Sequence, residues 1–179
     1  MTEENIIKGC IKKNHLCQRL LYEKYAGKMM SLCQRYSRDP QETKDIMQEG
    51  FIRVFDCIHQ FKSEGSFEGW MRRVFASIAI RHVSKRKIVF SDIDMIDTDA
   101  TTIESSVVSK LSEDEIHKMI SQLPEGYRLV FNLNIIEGYS HEEIGILLGI
   151  QASTSRTQLV KARRMLQSLI LKQFNMVIV

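Results

Sequence analysis

A chain of 179 residues with 44% hydrophobic content can bury one ordinary core or two small ones, and 25 Lys/Arg against 22 Asp/Glu leave a net charge of only +3. No stretch approaches the roughly 20 apolar residues of a membrane span, and Met1 to Asn14 carries both charge signs instead of the apolar run of a secretory signal, so a soluble, cytoplasmic protein is expected. The four cysteines (Cys10, Cys17, Cys33, Cys57) form no Cys-x-x-Cys pair and no zinc spacing with histidine, which argues against a disulfide or metal framework and predicts reduced, packed thiols.

The charge is unevenly placed. Met1 to Lys87 holds 17 Lys/Arg against 10 Asp/Glu, Ile88 to Glu115 one Lys against 8 acids, and Ile116 to Val179 7 Lys/Arg against 4 acids. Two basic blocks joined by an acidic connector suit a partner with a long anionic surface, of which nucleic acid is the commonest.

In chain order, Leu16, Leu20, Leu21, Tyr25, Met29 and Leu32 recur at helical spacing and predict the first long helix. Asp39-Pro40-Gln41-Glu42 then supplies a carboxylate at the N-cap, proline at the first helical position and glutamate at the third, so a helix starts at Pro40. Met47, Phe51, Val54, Phe55 and Ile58 form its core stripe. Lys62-Ser-Glu-Gly65-Ser66 breaks the pattern, and Phe67, Trp70, Met71, Val74, Phe75 and Ile78 form a third stripe, in which Trp70 reads as core. Long β-alternation is absent, so the fold class is all-α, with a first domain over residues 1–87.

Residues 88–111 are acidic, small, polar or β-branched without a sustained helical period, and read as a flexible linker. Asp92, Asp94, Asp97 and Asp99 do not make a calcium loop, since Ile96 stands where an oxygen ligand is wanted and no central glycine follows. A second domain over 112–179 opens with the capping box Ser112-Glu-Asp-Glu115. Its first helix, through Ile116, Met119, Ile120 and Leu123, stops before Pro124, and a second runs from about Gly126 to Glu137 and ends at Gly138.

Another capping box, Ser140-His-Glu-Glu143, starts a short helix that Gly149 ends, and a basic helix follows from about Ser153. Gly145 is the small residue wanted where the two helices cross, with Ile144, Leu148, Ile150, Leu159 and Ala162 as shared core. This is a helix-turn-helix. Its second helix carries Arg156, Lys161, Arg163, Arg164 and Lys172 with no acid between Ala152 and Lys172, and polar Thr154, Ser155, Thr157 and Gln158 crowd its first turns. Binding of duplex DNA is the expectation.

Taken together, these stretches resemble the extracytoplasmic-function (ECF) sigma factors of the sigma-70 family. The resemblance rests on Leu21-Tyr22-Glu-Lys-Tyr25, Asp45-x-x-Gln48-Glu49-x-Phe51, Phe67-x-x-Trp70-Met-Arg72-Arg73, Leu123-Pro124-x-x-x-Arg128, Gly138-Tyr139-Ser140-His141-Glu142-Glu143-Ile144 and Leu148-Gly149-Ile150, in that order. It implies that Asp45, Gln48 and Glu49 dock on the clamp coiled coil of the largest subunit of RNA polymerase. Spacing by three and four places these residues and Ile52 along one side of their helix.

The resemblance also implies that the loop from Gln60 to Phe67 captures an unstacked base of the minus-10 element. Phe61 and Phe67 offer rings for stacking, while Lys62, Arg72, Arg73, Arg81, Lys85, Arg86 and Lys87 form a basic run suited to phosphates. For the minus-35 element it implies reading by Arg156, Thr157, Val160 and Lys161. To these the chemistry of amides adds Gln158, and Arg163 is expected on phosphate. The implied partners are core polymerase (clamp and the flap of the second-largest subunit), promoter DNA and an anti-sigma factor, often membrane-anchored. The linker is implied to thread toward the polymerase active centre.

Some positions depart from the family pattern. Gly145 stands where alanine is usual, an expected loosening of up to about 1 kcal/mol. Gln151-Ala152-Ser153 replaces a more common turn, and the tail from Phe174 to Val179 is apolar but too short to span a bilayer. The rival reading is a stand-alone helix-turn-helix regulator, which leaves the Asp45 to Phe51 motif without a role. An enzyme is not expected. His15, His59, His82, His117 and His141 lie in separate elements without an evident companion, and no metal or cofactor is implied.

Overall fold

The computed structural model describes the backbone of residues 1–86 and 112–177, and the side chains of these except Glu113 and 174–177. The chain divides into two units, Met1–Arg86 and Lys87–Val179. Among the described residues there are eight α-helices and no strand. No described helix is long and apolar enough to cross a membrane. The linker with its four aspartates falls outside the described residues, as does the terminal pair 178–179.

The first unit is built from α1 (Glu3–Ile11), α2 (His15–Tyr36), α3 (Pro40–Cys57), a 3-10 turn (Ile58–Gln60) and α4 (Phe67–Ser84). Each helix starts on a side chain that accepts a hydrogen bond from an otherwise orphaned amide: Thr2, Asn14, Asp39 and Ser66. The start at Pro40 is as expected. Helix α1 was not legible as an element. Nine residues form a marginal helix alone, and this one holds by burying Ile6 and Cys10 against α2.

Along α2 the inward track runs Cys17, Leu21, Tyr25, Met29, Leu32, Cys33 and Tyr36. Leu16, expected in the stripe, is 53% exposed, because one residue turns the helix by 100° and Cys17 takes the inward place. These side chains meet Ile46, Met47, Phe51 and Val54 of α3 and Met71, Phe75, Ile78 and Ala79 of α4 in one core. Burying each of the larger aliphatic and aromatic ones stabilises the fold by ~1.5–3 kcal/mol. All four cysteines are buried and unpaired. Burial pushes the Cys10 thiol up to about 11 and the Cys33 thiol up to about 12.

The second unit contains α5 (Glu113–Ser121), α6 (Glu125–Phe131), α7 (His141–Leu148) and α8 (Ala152–Val177). Both predicted capping boxes are present with both reciprocal bonds. The Leu123-Pro124-x-x-x-Arg128 motif acquires a physical meaning here. Leu123 enters the core with Tyr127 and Ala162, Pro124 follows the end of α5, and Arg128 donates from Nη1 to the Ser121 carbonyl at 2.9 Å, satisfying that helix end.

The helix expected to run to Glu137 changes pitch instead. After Phe131 it widens into a π turn over Asn132–Ile136, closed by Glu137 N–H donating to the Asn132 carbonyl. Asn134 donates from Nδ2 to the Tyr139 carbonyl at 2.8 Å, and Gly138 takes the left-handed conformation that ends the segment. At the far end, Gln173 of α8 donates to Glu115 at 2.7 Å, returning that helix to the start of α5.

Candidate polymerase and nucleic-acid interfaces

Helix α3 has a strict division of faces. Ile46, Met47, Gly50 and Phe51 are buried, and Asp45, Gln48, Glu49 and Ile52 interleave with them on the solvent side, Ile52 at 53% exposure. Close packing holds that orientation: a Cβ on Gly50 would meet the Phe75 ring at 2.2 Å, so α3 can lie this near α4 only with glycine there. Gln41 donates to Asp45 at 3.1 Å, and His82 of α4 places Nε2 3.1 Å from Glu49 Oε1.

His82 thus has a companion that linear spacing could not reveal. Tyr22 is a further addition to the same region. Its ring lies 4.6 Å from that of Phe51 and stays half exposed, so an aromatic face of α2 stands beside the polar strip.

The loop that follows is stapled at its ends. Phe61 and Phe67 rings meet edge-on at 5.1 Å, and Trp70 packs 5.8 Å from Phe61 and 5.5 Å from Phe67. Phe67 is only 2% exposed, which corrects its assignment as a stacking platform: it sits beneath the loop, not on it. Trp70 and Phe61 remain partly exposed, and Lys62 is fully at the surface. Farther along α4, Arg73, Arg81 and Lys85 share an exposed stripe with Ser77, whereas Arg72 is partly buried.

Arg86 does not join that stripe. Its side chain is 8% exposed, and its guanidinium pairs with the Glu42 carboxylate and donates to the Tyr36 carbonyl at 3.3 Å, so it ties three helices instead of facing phosphate. Burial alone would raise the Glu42 carboxyl, but the bonds from Arg86 and the Arg38 amide hold it below its ordinary value.

In the second unit α7 and α8 make the expected helix-turn-helix. Gly149 adopts φ 66°, and Ile150 N–H donates back to the Gly145 carbonyl at 3.0 Å. A Cβ at Gly145 would lie 2.8 Å from the Ile150 carbonyl oxygen. The glycine is therefore a fitting residue of this turn and not merely a loosened alanine. Ile144, Leu159 and Ala162 are fully packed, while Leu148 and Ile150 are partly exposed. His141 also finds a companion, with Nδ1 2.8 Å from Ser155 Oγ across the two helices.

The outward face of α8 presents Ser153, Arg156, Thr157, Val160, Arg163 and Arg164, with Lys161 partly buried at its flank. Arg156 pairs with Glu142 of α7 at 2.6 Å. Both groups are exposed and such a pair is worth only ~0–1 kcal/mol, so the guanidinium exchanges it readily for another acceptor. Gln158 is the correction. At 1% exposure it is buried within the second unit, and its Oε1 has no hydrogen-bond partner, so it cannot reach a base edge. Its polarity, not its place in the helical period, suggested the role.

Family comparison agrees with this geometry. Residues 21–88 match the sigma-70 region 2 model and residues 113–166 the sigma-70 region 4 model. The RNA polymerase sigma-H factor of Pseudomonas aeruginosa is 31% identical over 156 residues, covering 80% of this chain and 81% of the relative. The ECF RNA polymerase sigma factor SigW of Bacillus subtilis is 31% identical over 155 residues, covering 80% and 83%.

Among solved structures, the sigma factor RpoE in complex with the anti-sigma factor NepR from Bartonella quintana shares the fold at TM-score 0.53 and 17% identity, covering 86% of this chain and 96% of that one. CnrH in complex with the cytosolic domain of CnrY does so at TM-score 0.52 and 15% identity, covering 92% and 94%. Two family models, placed on the two units in the order their motifs imply, and relatives matched over most of their own length leave one assignment: the chain belongs to the ECF sigma factors of the sigma-70 family.

Proposed function

We propose that this chain binds core RNA polymerase and directs promoter-specific initiation, with the α3 strip as the docking face and α8 as the reader of the minus-35 element. The observation that carries the reading is the simultaneous exposure, in one chain, of Asp45, Gln48, Glu49 and Ile52 on one unit and of Arg156, Thr157 and Val160 on a helix-turn-helix in the other. A polar strip flanked by apolar Ile52 and Tyr22 suits a basic partner helix of the clamp, and the outward basic face of α8 suits a major groove. The second unit would rest on the polymerase flap.

Phe61, at the entry of the stapled loop, and Lys62, exposed beside it, are the groups suited to an unstacked minus-10 base and its phosphate, with Arg73, Arg81 and Lys85 tracking the strand. Melting without a cofactor or nucleotide hydrolysis then draws on binding free energy that only separated strands supply. The chain acts by binding rather than by catalysis, in the cytoplasm where core polymerase works. An anti-sigma factor, soluble or membrane-anchored, is the proposed controller, supported by the complex with the anti-sigma factor NepR in which the Bartonella quintana sigma factor was solved.

Run-off transcription with purified core polymerase on a promoter library tests this. Promoter-specific initiation that is lost on combined substitution Asp45→Ala, Gln48→Ala and Glu49→Ala is the expected result. Duplex binding without initiation would make the chain a stand-alone helix-turn-helix regulator.

A further inference from the structure

Helix α1 precedes the stretch matched by the region 2 model, which begins at Leu21, and carries none of the family motifs. Its placement is nonetheless specific. It packs on α2 and also on the 3-10 turn Ile58–Gln60, the segment that leads directly into the loop Phe61–Ser66. Its first residue, Glu3, uses a single carboxylate oxygen, Oε2, to accept from Lys24 Nζ at 2.6 Å and from the Tyr25 hydroxyl.

Tyr25 is the joint between this contact and the loop. Its buried ring lies 5.8 Å from that of Phe67, which in turn holds Phe61 at 5.1 Å and Trp70 at 5.5 Å. A second tie runs alongside, since Lys28, one turn beyond Lys24, pairs with Glu68 in the first turn of α4. Burial and the bond to Glu3 push the Tyr25 hydroxyl well above its ordinary range, so it stays protonated and remains a donor. The hydrogen bond from Lys24, then that from Tyr25, hold the Glu3 carboxyl below its own ordinary value, so it stays an acceptor.

The loop needs such support. Ser63 has φ 58° and Gly65 φ 102°, and a non-glycine residue persists in the left-handed region only where its surroundings hold it there. Within the loop there is little to do so, because residues 62–66 are all exposed. The hold comes from the ends: the Phe61–Phe67 staple, the Ser66 side chain that caps α4 by accepting from Gly69 N–H at 3.0 Å, and the turn against which α1 rests. A carboxylate with two donors adds direction to this packing, which apolar contact alone does not.

We propose that α1 is a positioning element for the Phe61–Ser66 loop, acting through Glu3 and Tyr25 onto Phe67, so that the loop is preset to receive an unstacked base. The inference rests on the reading of that loop as the minus-10 contact. Presetting lowers the ordering cost of binding a single strand and leaves duplex recognition by α8 untouched.

The test uses the full chain assembled with core polymerase and three variants: Glu3→Ala, Tyr25→Phe, which keeps the ring and removes only the hydroxyl, and Lys62→Glu in the loop itself. The probes are a single-stranded oligonucleotide carrying the non-template minus-10 sequence of a promoter selected by run-off transcription, and a duplex carrying its minus-35 element. Glu3→Ala and Tyr25→Phe should each weaken single-strand binding three- to tenfold, with the double variant no weaker than the stronger single one. Core affinity and duplex binding should stay at the wild-type value.

Unchanged single-strand binding by both variants, alongside a loss for Lys62→Glu, would overturn the role of α1 while sparing the loop reading. Equal single-strand binding by wild type and Lys62→Glu would overturn the loop reading and this inference with it. A parallel fall in core affinity, duplex binding and single-strand binding would reduce α1 to a structural support and also overturn the proposal.

Discussion

Arg86, the last described residue of the first unit, closes its guanidinium on the carboxylate of Glu42 at the start of α3 and reaches the Tyr36 carbonyl at the end of α2. The end of one helix, the start of the next and the exit of a third are thereby fixed to one another. Arg86→Met removes the charge and leaves the part-buried Glu42 carboxylate with only the Arg38 amide as donor, so a loss of ~2–4 kcal/mol in stability is expected, most of it the cost of a carboxylate without its counter-charge. Urea unfolding checks this, and Glu42→Gln combined with Arg86→Met should recover part of the loss.

The same carboxyl makes stability pH-dependent in a defined direction. Glu42 is held below its ordinary value of 4.5 in the folded protein, so the unfolded chain takes up the proton first as pH falls. Its contribution is fully present above that value and disappears as pH drops through the folded one. The urea midpoint of the wild type should fall more steeply below about pH 4.5 than that of Glu42→Gln, with no difference in slope between pH 6 and 8.

Gly145 provides a test of the turn. Alanine is the better helix former by ~1 kcal/mol, so local propensity alone would make Gly145→Ala stabilising. The 2.8 Å approach of a new Cβ to the Ile150 carbonyl requires the turn backbone to move, and backbone does not yield as a flexible side chain does. Gly145→Ala should lower the melting temperature and weaken minus-35 duplex binding, since the turn sets the angle at which α8 is presented.

Gln158 and Arg156 should separate cleanly. Gln158→Ala leaves a cavity, partly offset by removal of an amide oxygen that has no partner, and should cost ~1–3 kcal/mol in stability without altering base preference. Arg156→Ala should barely change stability. It should instead relax sequence preference at one minus-35 position by ~1–3 kcal/mol, read by competition binding with single-base variants of the site.

The thiols offer a check on the first core. All four cysteines are buried, and burial holds Cys10, Cys33 and Cys57 above the ordinary thiol value, so little thiolate is present near neutral pH. Reaction with a thiol-specific chromogenic reagent at pH 8 should be slow in the native protein. In denaturant all four should react at once, and Arg86→Met should speed the native reaction by favouring local opening.

What could be read from the chain alone was whatever is written within a few residues. The starts at Pro40, Ser112 and Ser140 depend on a side chain and an amide three positions apart, and the Gly149 turn on one left-handed residue, so each is a local fact. The exposed strip Asp45, Gln48, Glu49 and Ile52 follows from helical period against an apolar stripe, and the motifs that name the family are equally local. Tertiary packing decided what period leaves open. Phe67, Arg86 and Gln158 carry side chains suited to nucleic acid, but each is held inside by the fold: Phe67 beside Tyr25, Arg86 on Glu42, and Gln158 at 1% exposure within the second unit. Helix α1, too short to announce itself by period, exists because α2 covers it, and a contact between Glu3 and Tyr25, 22 residues apart, has no signature in either stretch. Local hydrogen bonds determine where helices begin and end; burial depends on the other helices, and only the folded chain brings those together.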